Sequence, residues 1–389
     1  MIKVLVKYSE IALKGKNQHE FVNKLVGNIQ KSANRQEIKI KNIIKEQSRI
    51  ICNFEDKTDK DKINAALKNT FGIKYFCYAY EVKKDMESIL EQAKIMLKEI
   101  KKENKNTVLS FKTKRNDKAF PVPSPDINHK LALLTQKIGL ETKFKNADTT
   151  LFTEITFKTV YMYSKRMECF GGLPVGTSGR VLVLLSGGID SPVSAIEMLK
   201  RGCTVDFLHF HTHPTENKSV LDTKMKRIVE VVNNYGFKSR LHLIPRRFYK
   251  MATIEQIKDR YQVVFFKHYI LQVAQQIAKE YQYDAIVTGD SLAQVASQTM
   301  ENLKAASINS DTLIFRPLLT YDKDDIIVKA RGYGTYKLSI EEYADCCSLV
   351  AQNPLKKTNI NKFKELVDNF EMDSLLEESM EKMESYMIK

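Results

Sequence analysis

The stretch Val181–Gly202, VLVLLSGGIDSPVSAIEMLKRG, decides the fold. Its first five residues form an unbroken apolar run, the pattern of a strand buried on both faces of a parallel sheet. From Ser191 the spacing is helical, and Gly202 supplies the stop. Between strand and helix lies Ser186-Gly187-Gly188-Ile189-Asp190-Ser191. Two glycines let backbone N–H groups approach an anion, and the helix N-terminus adds the positive end of its dipole. Ser186 and Ser191 can donate hydroxyl hydrogen bonds. Asp190 would repel a bare phosphate, so it implies Mg²⁺ or a role in orienting the loop. The spacing is not that of GxxxxGK[ST], and the lysine which that motif needs is missing.

Downstream, strand and helix continue to alternate. Residues 203–211 read as a strand, 221–236 as a helix, 238–245 as a third strand, 259–280 as a long helix and 284–290 as a fourth strand. This order predicts a doubly wound parallel α/β domain, whose ligands bind at the C-terminal ends of the strands. The tail to Lys389 is charged, rich in Met and helix-like.

Upstream, Gly171, Gly172, Pro174, Gly176 and Gly179 mark a linker over 170–179. Before it, residues 1–75 run strand, helix, strand, strand, helix, strand, the order of a small ferredoxin-like α+β unit. The first helix begins near His19, and the second, 61–72, is closed by Gly72. A further helix (85–103), strand (107–113), helix (127–139) and strands (150–168) follow. The proline-broken loop 114–125 holds Lys114, Arg115 and Lys118 beside Phe120, side chains suited to phosphate and base contact. Lys14 and Lys16 crowd the start of the first helix.

Charge divides the 389 residues at the same place. The net charge is +15. Residues 1–175 carry 34 basic and 20 acidic side chains, and the remainder 28 and 27. One half is therefore expected to meet a polyanion, with nucleic acid the leading candidate. No apolar run is long enough to span a bilayer, and the start MIKVLVKYSE is too short and charged for a secretion signal. Six cysteines in so long a chain do not read as a disulfide framework, so a cytoplasmic location is expected. His209, His211 and His213 share one strand face but lack a Cys or Asp partner at ligand spacing. No CxxC occurs, so neither zinc nor an iron–sulfur cluster is expected.

SGGIDS resembles the loop of the PP-loop ATP pyrophosphatases, which split ATP to AMP and pyrophosphate. The stretches GGLPVGTSG (171–179), TGDSLAQVASQTMENL (288–303), FRPLLTYDKDDI (315–326) and EEYADCCSLVAQNP (341–354) narrow the resemblance. So do KYSEIALKGKNQHEF (7–21) and KRNDKAFPVPSPDIN (114–128). Together they resemble the tRNA 4-thiouridine synthetases, the ThiI-type tRNA uridine sulfurtransferases, over nearly the whole chain. The resemblance implies an N-terminal ferredoxin-like domain (1–57), a THUMP RNA-binding domain (58–165) and a PP-loop domain (175–389).

It also implies the chemistry. ATP adenylates O4 of uridine at position eight of tRNA, and persulfide sulfur then displaces AMP to give 4-thiouridine. Leu184, Leu185, Ser186, Gly187, Gly188, Asp190, Ser191, His209, Phe210, Lys267, Gly289 and Gln298 fall at positions implied to bind ATP with Mg²⁺. Asp190, Lys323 and Cys347 are implied in catalysis, with Cys346 an adjacent alternative to Cys347. Lys14, Lys16, Lys112, Lys114, Arg115, Lys118 and Phe120 are candidates for tRNA binding. Two stretches depart from the family pattern. His211-Thr212-His213-Pro214 replaces a more usual Ser-Pro-Pro-like stretch, and Lys267-His268 stands where an Arg pair is common. Many members continue into a rhodanese domain, whereas this sequence ends at Lys389. The expected sulfur donor is therefore a partner, a cysteine desulfurase, or sulfide. A homodimer, and a second role with the thiamine sulfur carrier protein, also belong to the resemblance. Two rivals are another PP-loop nucleotidyl transferase and an RNA-binding protein with a dead ATP site.

Overall fold

The computed structural model describes residues 1–8, 10–46, 48–212, 217–343 and 355–389. The chain divides into two compact units, Met1–Gly172 and Leu173–Lys389, so the break falls inside the glycine-rich linker.

In the first unit, β1 (Ile2–Lys7), α1 (Gln18–Arg35), β2 (Asn42–Glu46), β3 (Arg49–Phe54), α2 (Lys60–Lys68) and β4 (Tyr75–Tyr78) form the ferredoxin-like part. With a two-residue return strand their sheet has the order β10-β4-β1-β3-β2, β10 being Met167–Glu168. Helix α1 buries Val22, Leu25 and Ile29 on one face, the helical spacing read from the sequence. Helix α2 ends at Lys68, earlier than expected. Gly72 instead takes a left-handed turn, φ 100°, beyond it. Strand β4 hydrogen-bonds to β1, which places it in this first sheet.

The second sheet has the order β5-β9-β8-β6-β7. Its strands are β5 (Tyr80–Val82), β6 (Val108–Arg115), β7 (Glu141–Thr142), β8 (Thr149–Ile155) and β9 (Val160–Tyr163), packed with α3 (Met86–Glu103) and α4 (Ser124–Ile138). Glu154 of β8 is buried. Its carboxylate accepts from Lys7 Nζ (2.9 Å) and Tyr163 OH (2.7 Å) and faces Arg49 Nη1 at 2.8 Å. Burial would raise its carboxyl, but the two cations hold it below the usual range.

The second unit holds a six-stranded sheet of order β15-β14-β11-β12-β13-β16, β16 being Glu384–Ile388. Strands β11 (Arg180–Leu184), β12 (Thr204–His211), β13 (Ser239–Pro245), β14 (Ala285–Val287) and β15 (Leu313–Phe315) are parallel. Its main helices are α5 (Asp190–Lys200), α6 (Lys224–Gly236), α7 (Arg247–Thr253), α8 (Gln262–Tyr281), α9 (Met300–Ala306) and α10 (Lys323–Tyr333). The chain moves outward from β11 one way through β12 and β13, then restarts on the other side with β14 and β15. The topological switch point therefore lies between β11 and β14, where such sheets bind ligands.

The tail is helical as expected except at its end. After α11 (Tyr336–Ser339), α12 (Ile360–Asp368) and α13 (Met372–Glu381), β16 (Glu384–Ile388) pairs antiparallel with β13. It satisfies the backbone groups that β13 would otherwise leave open at the sheet edge. No helix among the described residues is long and apolar enough to cross a membrane.

Candidate active site

At the end of β11 the chain turns through Ser186–Ile189 into α5. The turn is closed by its own serines. Ser186 N–H donates to Ser191 Oγ at 2.9 Å, Gly188 N–H approaches Ser186 Oγ at 3.4 Å, and the two hydroxyls lie 3.2 Å apart. Gly289, just past β14, packs against this turn. A Cβ there would lie 2.9 Å from Ser191 N and 3.1 Å from Ser191 Cα, so the two strand ends meet backbone to backbone.

Two acid–base pairs frame the turn. Asp190, first residue of α5, accepts from Lys323 Nζ at 2.6 Å and Gln294 Nε2 at 3.0 Å. Lys323 is itself the first residue of α10, so two helix N-termini converge here. Asp290 accepts from Lys267 Nζ (2.8 Å) and Thr288 Oγ1 (2.7 Å), with Arg316 Nε at 3.6 Å. Burial would raise the Asp290 carboxyl, but Lys267, Thr288 and Arg316 hold it below the usual carboxylate range. Lysine thus replaces the expected arginine in this pair, whereas His268 is buried with Nδ1 3.2 Å from Ala306 O.

Between the pairs opens a cavity of about 330 Å³ at the switch point. Its polar lining includes Ser186, Gly188, Asp190 and Ser191, and its apolar lining Leu208, Phe210, Phe266 and Ile270. Gln298 lines it too, and its Oε1 is buried with no hydrogen-bond partner. The volume falls in the range of small-molecule sites, apolar with a few placed polar groups.

Of the residues singled out from sequence, Leu184, Leu185, Ser186, Gly188, Asp190, Ser191, Phe210, Lys267, Gly289 and Gln298 all line this cavity. Gly187 and His209 do not. Residues of a strand alternate sides, so Leu208 and Phe210 face the cavity while the His209 ring bonds Leu185 O and Tyr343 OH, each at 2.8 Å. Lys323 does not line the cavity itself and reaches it through its hydrogen bond to Asp190. Cys346, Cys347 and His213 lie outside the described residues.

Sequence reading missed Asp290, Gln294, Arg316 and Phe266. Asp290 and Gln294 stand in the quoted 288–303 stretch and Arg316 in FRPLL, but nothing local shows that a carboxylate and a guanidinium so far apart in sequence meet. Phe266 had the helical spacing of an ordinary core residue.

In the first unit, Lys112 and Lys114 sit on the exposed face of β6, and Lys16 and Lys118 are exposed. Lys14 lies over the Phe21 ring at 5.0 Å. Two readings change. Phe120 is 3 % exposed within the core around Leu131 and Leu151, so it packs and does not offer a face to a base. Arg115 belongs to β6. Its Nη1 donates to Phe120 O (2.8 Å) and Val122 O (3.1 Å), which staples the loop behind it.

Comparison with known proteins decides the family. The family model described as "Thiamine biosynthesis protein (ThiI)" matches residues 176–372, and the ThiI ferredoxin-like domain matches residues 3–77. The chain belongs to the ThiI family. It is 36 % identical over 386 residues to a probable tRNA sulfurtransferase of Clostridium kluyveri, covering 97 % of each. The probable tRNA sulfurtransferase of Staphylococcus aureus is 31 % identical, covering 99 % of this chain and 94 % of that one. A crystal structure of a 4-thiouridine synthetase–RNA complex with bound ATP superposes with a TM-score of 0.87 at 30 % identity, covering 100 % of both chains. The ThiI ferredoxin-like match ends at residue 77, in step with the placement of β4 in the first sheet.

Proposed function

We propose that this ThiI-family chain is an ATP-dependent tRNA sulfurtransferase that converts uridine at position eight to 4-thiouridine. The observation that carries the reading is the serine-closed glycine turn at the switch point, facing a cavity whose rim joins Asp190 to Lys323. The relatives named tRNA sulfurtransferase and the ATP- and RNA-bound 4-thiouridine synthetase structure support it.

The residues fit their roles as follows. The triphosphate meets the N–H groups of Ser186–Ser191 and the N-terminus of α5. The base lies against Phe210 and Phe266, and the orphaned Gln298 Oε1 accepts from the adenine amine. Asp190 and Asp290 are hard oxygen donors of the kind Mg²⁺ takes alongside phosphates, and Mg²⁺ would screen the phosphate charge. Lys323 balances Asp190 and can turn to the pyrophosphate as its charge develops. Uridine O4 attacks the α-phosphorus and pyrophosphate leaves. A persulfide sulfur then attacks C4, AMP departs with the original O4, and a thiolate opens the remaining S–S bond to give a disulfide that a thiol reductant must reopen. Cys347, or its neighbour Cys346, serves as carrier or as resolving thiol.

Residues 58–165 act as the THUMP domain, and Lys14, Lys16, Lys112, Lys114 and Lys118 contact RNA phosphates. A cysteine desulfurase supplies the sulfur, two chains act as a homodimer, and the same cysteine can serve the thiamine sulfur carrier protein.

The test uses the purified chain with unmodified tRNA, ATP–Mg²⁺ and sulfide, read by the near-ultraviolet absorbance of thiolated uridine. ATP-dependent signal is expected, falling at least 100-fold in Asp190→Ala, the order seen when a placed charge is removed. Signal without ATP, or full activity in Asp190→Ala, would refute the reading.

A further inference from the structure

One exposed arginine of the first unit has a guanidinium that is held in place. Cζ of Arg166 lies 3.7 Å from the centre of the Phe152 ring and 4.5 Å from that of Tyr75. Nη2 donates to Tyr163 OH at 3.2 Å. That hydroxyl donates in turn to buried Glu154 at 2.7 Å, which leaves its lone pair for Arg166. Glu154 is already matched by Lys7 and Arg49, so its charge does not neutralise Arg166. Tyr163 uses one N–H of the fork, and among the described residues no carboxylate pairs with the rest. Strand register adds two more cations. In the parallel pair β6–β8, Lys112 stands opposite Phe152 and Lys114 opposite Glu154. Residues opposite one another point to the same face, so the exposed Lys112 and Lys114 share the face that carries Arg166. Burial lowers the pKa of Lys7, and Arg49 and Lys114 push the same way, so Lys114 stands within reach of this cluster. Neither Lys112 nor Lys114 has a carboxylate partner among the described residues.

We propose that Arg166 is an RNA phosphate receptor, its fixed fork gripping one phosphodiester of a strand that runs past Lys112 and Lys114. The inference rests on the reading of this unit as the one that meets tRNA. An arginine held this way serves an anion twice over. Ring stacking and the Tyr163 bond fix the plane, so less side-chain freedom is lost on binding. The fork also fits two phosphate oxygens at once, which a lysine cannot do. The partner follows from the charge. Three cations on one face without a carboxylate suit a polyanion, and a strand of phosphodiesters meets several of them together, which one small anion does not. Arg115, the arginine expected from the sequence to meet RNA, is turned onto its own loop. Arg166 lies outside the stretches that pointed to RNA, because the pairing of Met167 and Glu168 with β4 is what brings it beside Tyr75.

The experiment measures tRNA affinity of the full chain against salt concentration, without ATP, for Arg166→Ala, Arg166→Lys and Lys165→Ala, each also followed by thermal unfolding. Arg166→Ala should weaken binding about tenfold at low salt and lower the salt slope by about one. Its melting midpoint should move by no more than about 2–4 °C, since an exposed cation–π contact contributes little. Arg166→Lys should keep the slope and still lose affinity, because it restores the charge and not the fork. Lys165, exposed and paired with Glu103, is the control, and its alanine variant should bind as the unaltered chain does. A lower melting midpoint with unchanged binding in Arg166→Ala would make Arg166 a brace between Tyr75 of one sheet and Phe152 of the other, and would overturn the proposal. Full affinity in Arg166→Lys would overturn it too, as would an equal loss in Lys165→Ala, which would reduce the effect to bulk charge. The underlying reading fails separately. If the unaltered chain binds tRNA with no dependence on salt, the phosphate grip fails for the whole unit, and the proposal falls with it.

Discussion

Gly289→Ala and Gly188→Ala separate a glycine needed by the fold from one needed by the ligand. Neither glycine has a positive φ, so alanine meets no backbone strain at either position. At 289 the added methyl would sit 2.9 Å from Ser191 N, 3.1 Å from Ser191 Cα and 3.2 Å from Asp190 C. Ordinary carbon contacts begin near 3.5 Å, so roughly half an ångström must be found. The obstructing atoms are backbone in the first turn of α5 and cannot swing aside. Forced overpacking of this kind costs about 1–3 kcal/mol, and each kcal/mol lowers the melting midpoint of a domain this size by about 2–4 °C. Because the displaced atoms carry Asp190 and Ser191, ATP-dependent pyrophosphate release should fall about 100-fold as well, the scale of a misplaced catalytic frame. At 188 the nearest atom to an added methyl is Ser186 Oγ at 3.6 Å, an ordinary contact. Gly188→Ala should therefore keep its melting midpoint and lose ATP affinity, because the methyl enters the space of the phosphate. The assays are thermal unfolding and ATP titration of both variants. Wild-type stability in Gly289→Ala, or unchanged ATP binding in Gly188→Ala, would refute this account of the turn.

Four further outcomes are expected, three from the structure and one from the reading of Cys347. Phe120→Ala should cost about 3–5 kcal/mol of stability in urea unfolding, with the salt slope of tRNA binding unchanged. Lys114→Ala should leave stability alone and reduce that slope by about one. Burial lowers the His242 imidazole from 6.5 to about 4, between Ser385 Oγ at 2.7 Å and Tyr283 OH at 3.1 Å. The unfolded chain therefore takes up the proton first as pH falls through that window. Stability should drop by about 2 kcal/mol between pH 7 and pH 5 from this group, and the drop should shrink by that amount in His242→Gln. Cys347→Ala should abolish thiolation while tRNA binding and pyrophosphate release persist, and retained thiolation would remove this thiol from the mechanism.

Periodicity and glycine placement made much of the architecture legible. The apolar run before Ser186 has the pattern of a strand covered on both faces, and strand–helix alternation after it points to parallel pairing. The charge split and the 170–179 linker located the unit break. Charge alone could not separate Lys114 from Arg115, because strand alternation sends one to solvent and turns the other back onto its own loop. Nor could it show that Phe120 fills a core, since a basic loop looks alike from either side of its aromatic. The end of the tail was missed because Glu384–Ile388 is too short to read alone and becomes a strand by pairing with the edge of β13.

The sequence by itself determined the class of the second unit, the turn that meets an anion, and which half of the chain carries the positive charge. These are local properties, set by the period of apolar residues, by glycine, and by the count of lysines. Tertiary structure alone decided which partners that turn receives. Asp190 meets Lys323, Asp290 meets Lys267 and Arg316, and His209 meets Tyr343, each pair far apart in the chain. Only the strand order across the switch point brings such groups within hydrogen-bond reach, and no spacing along the sequence encodes that distance.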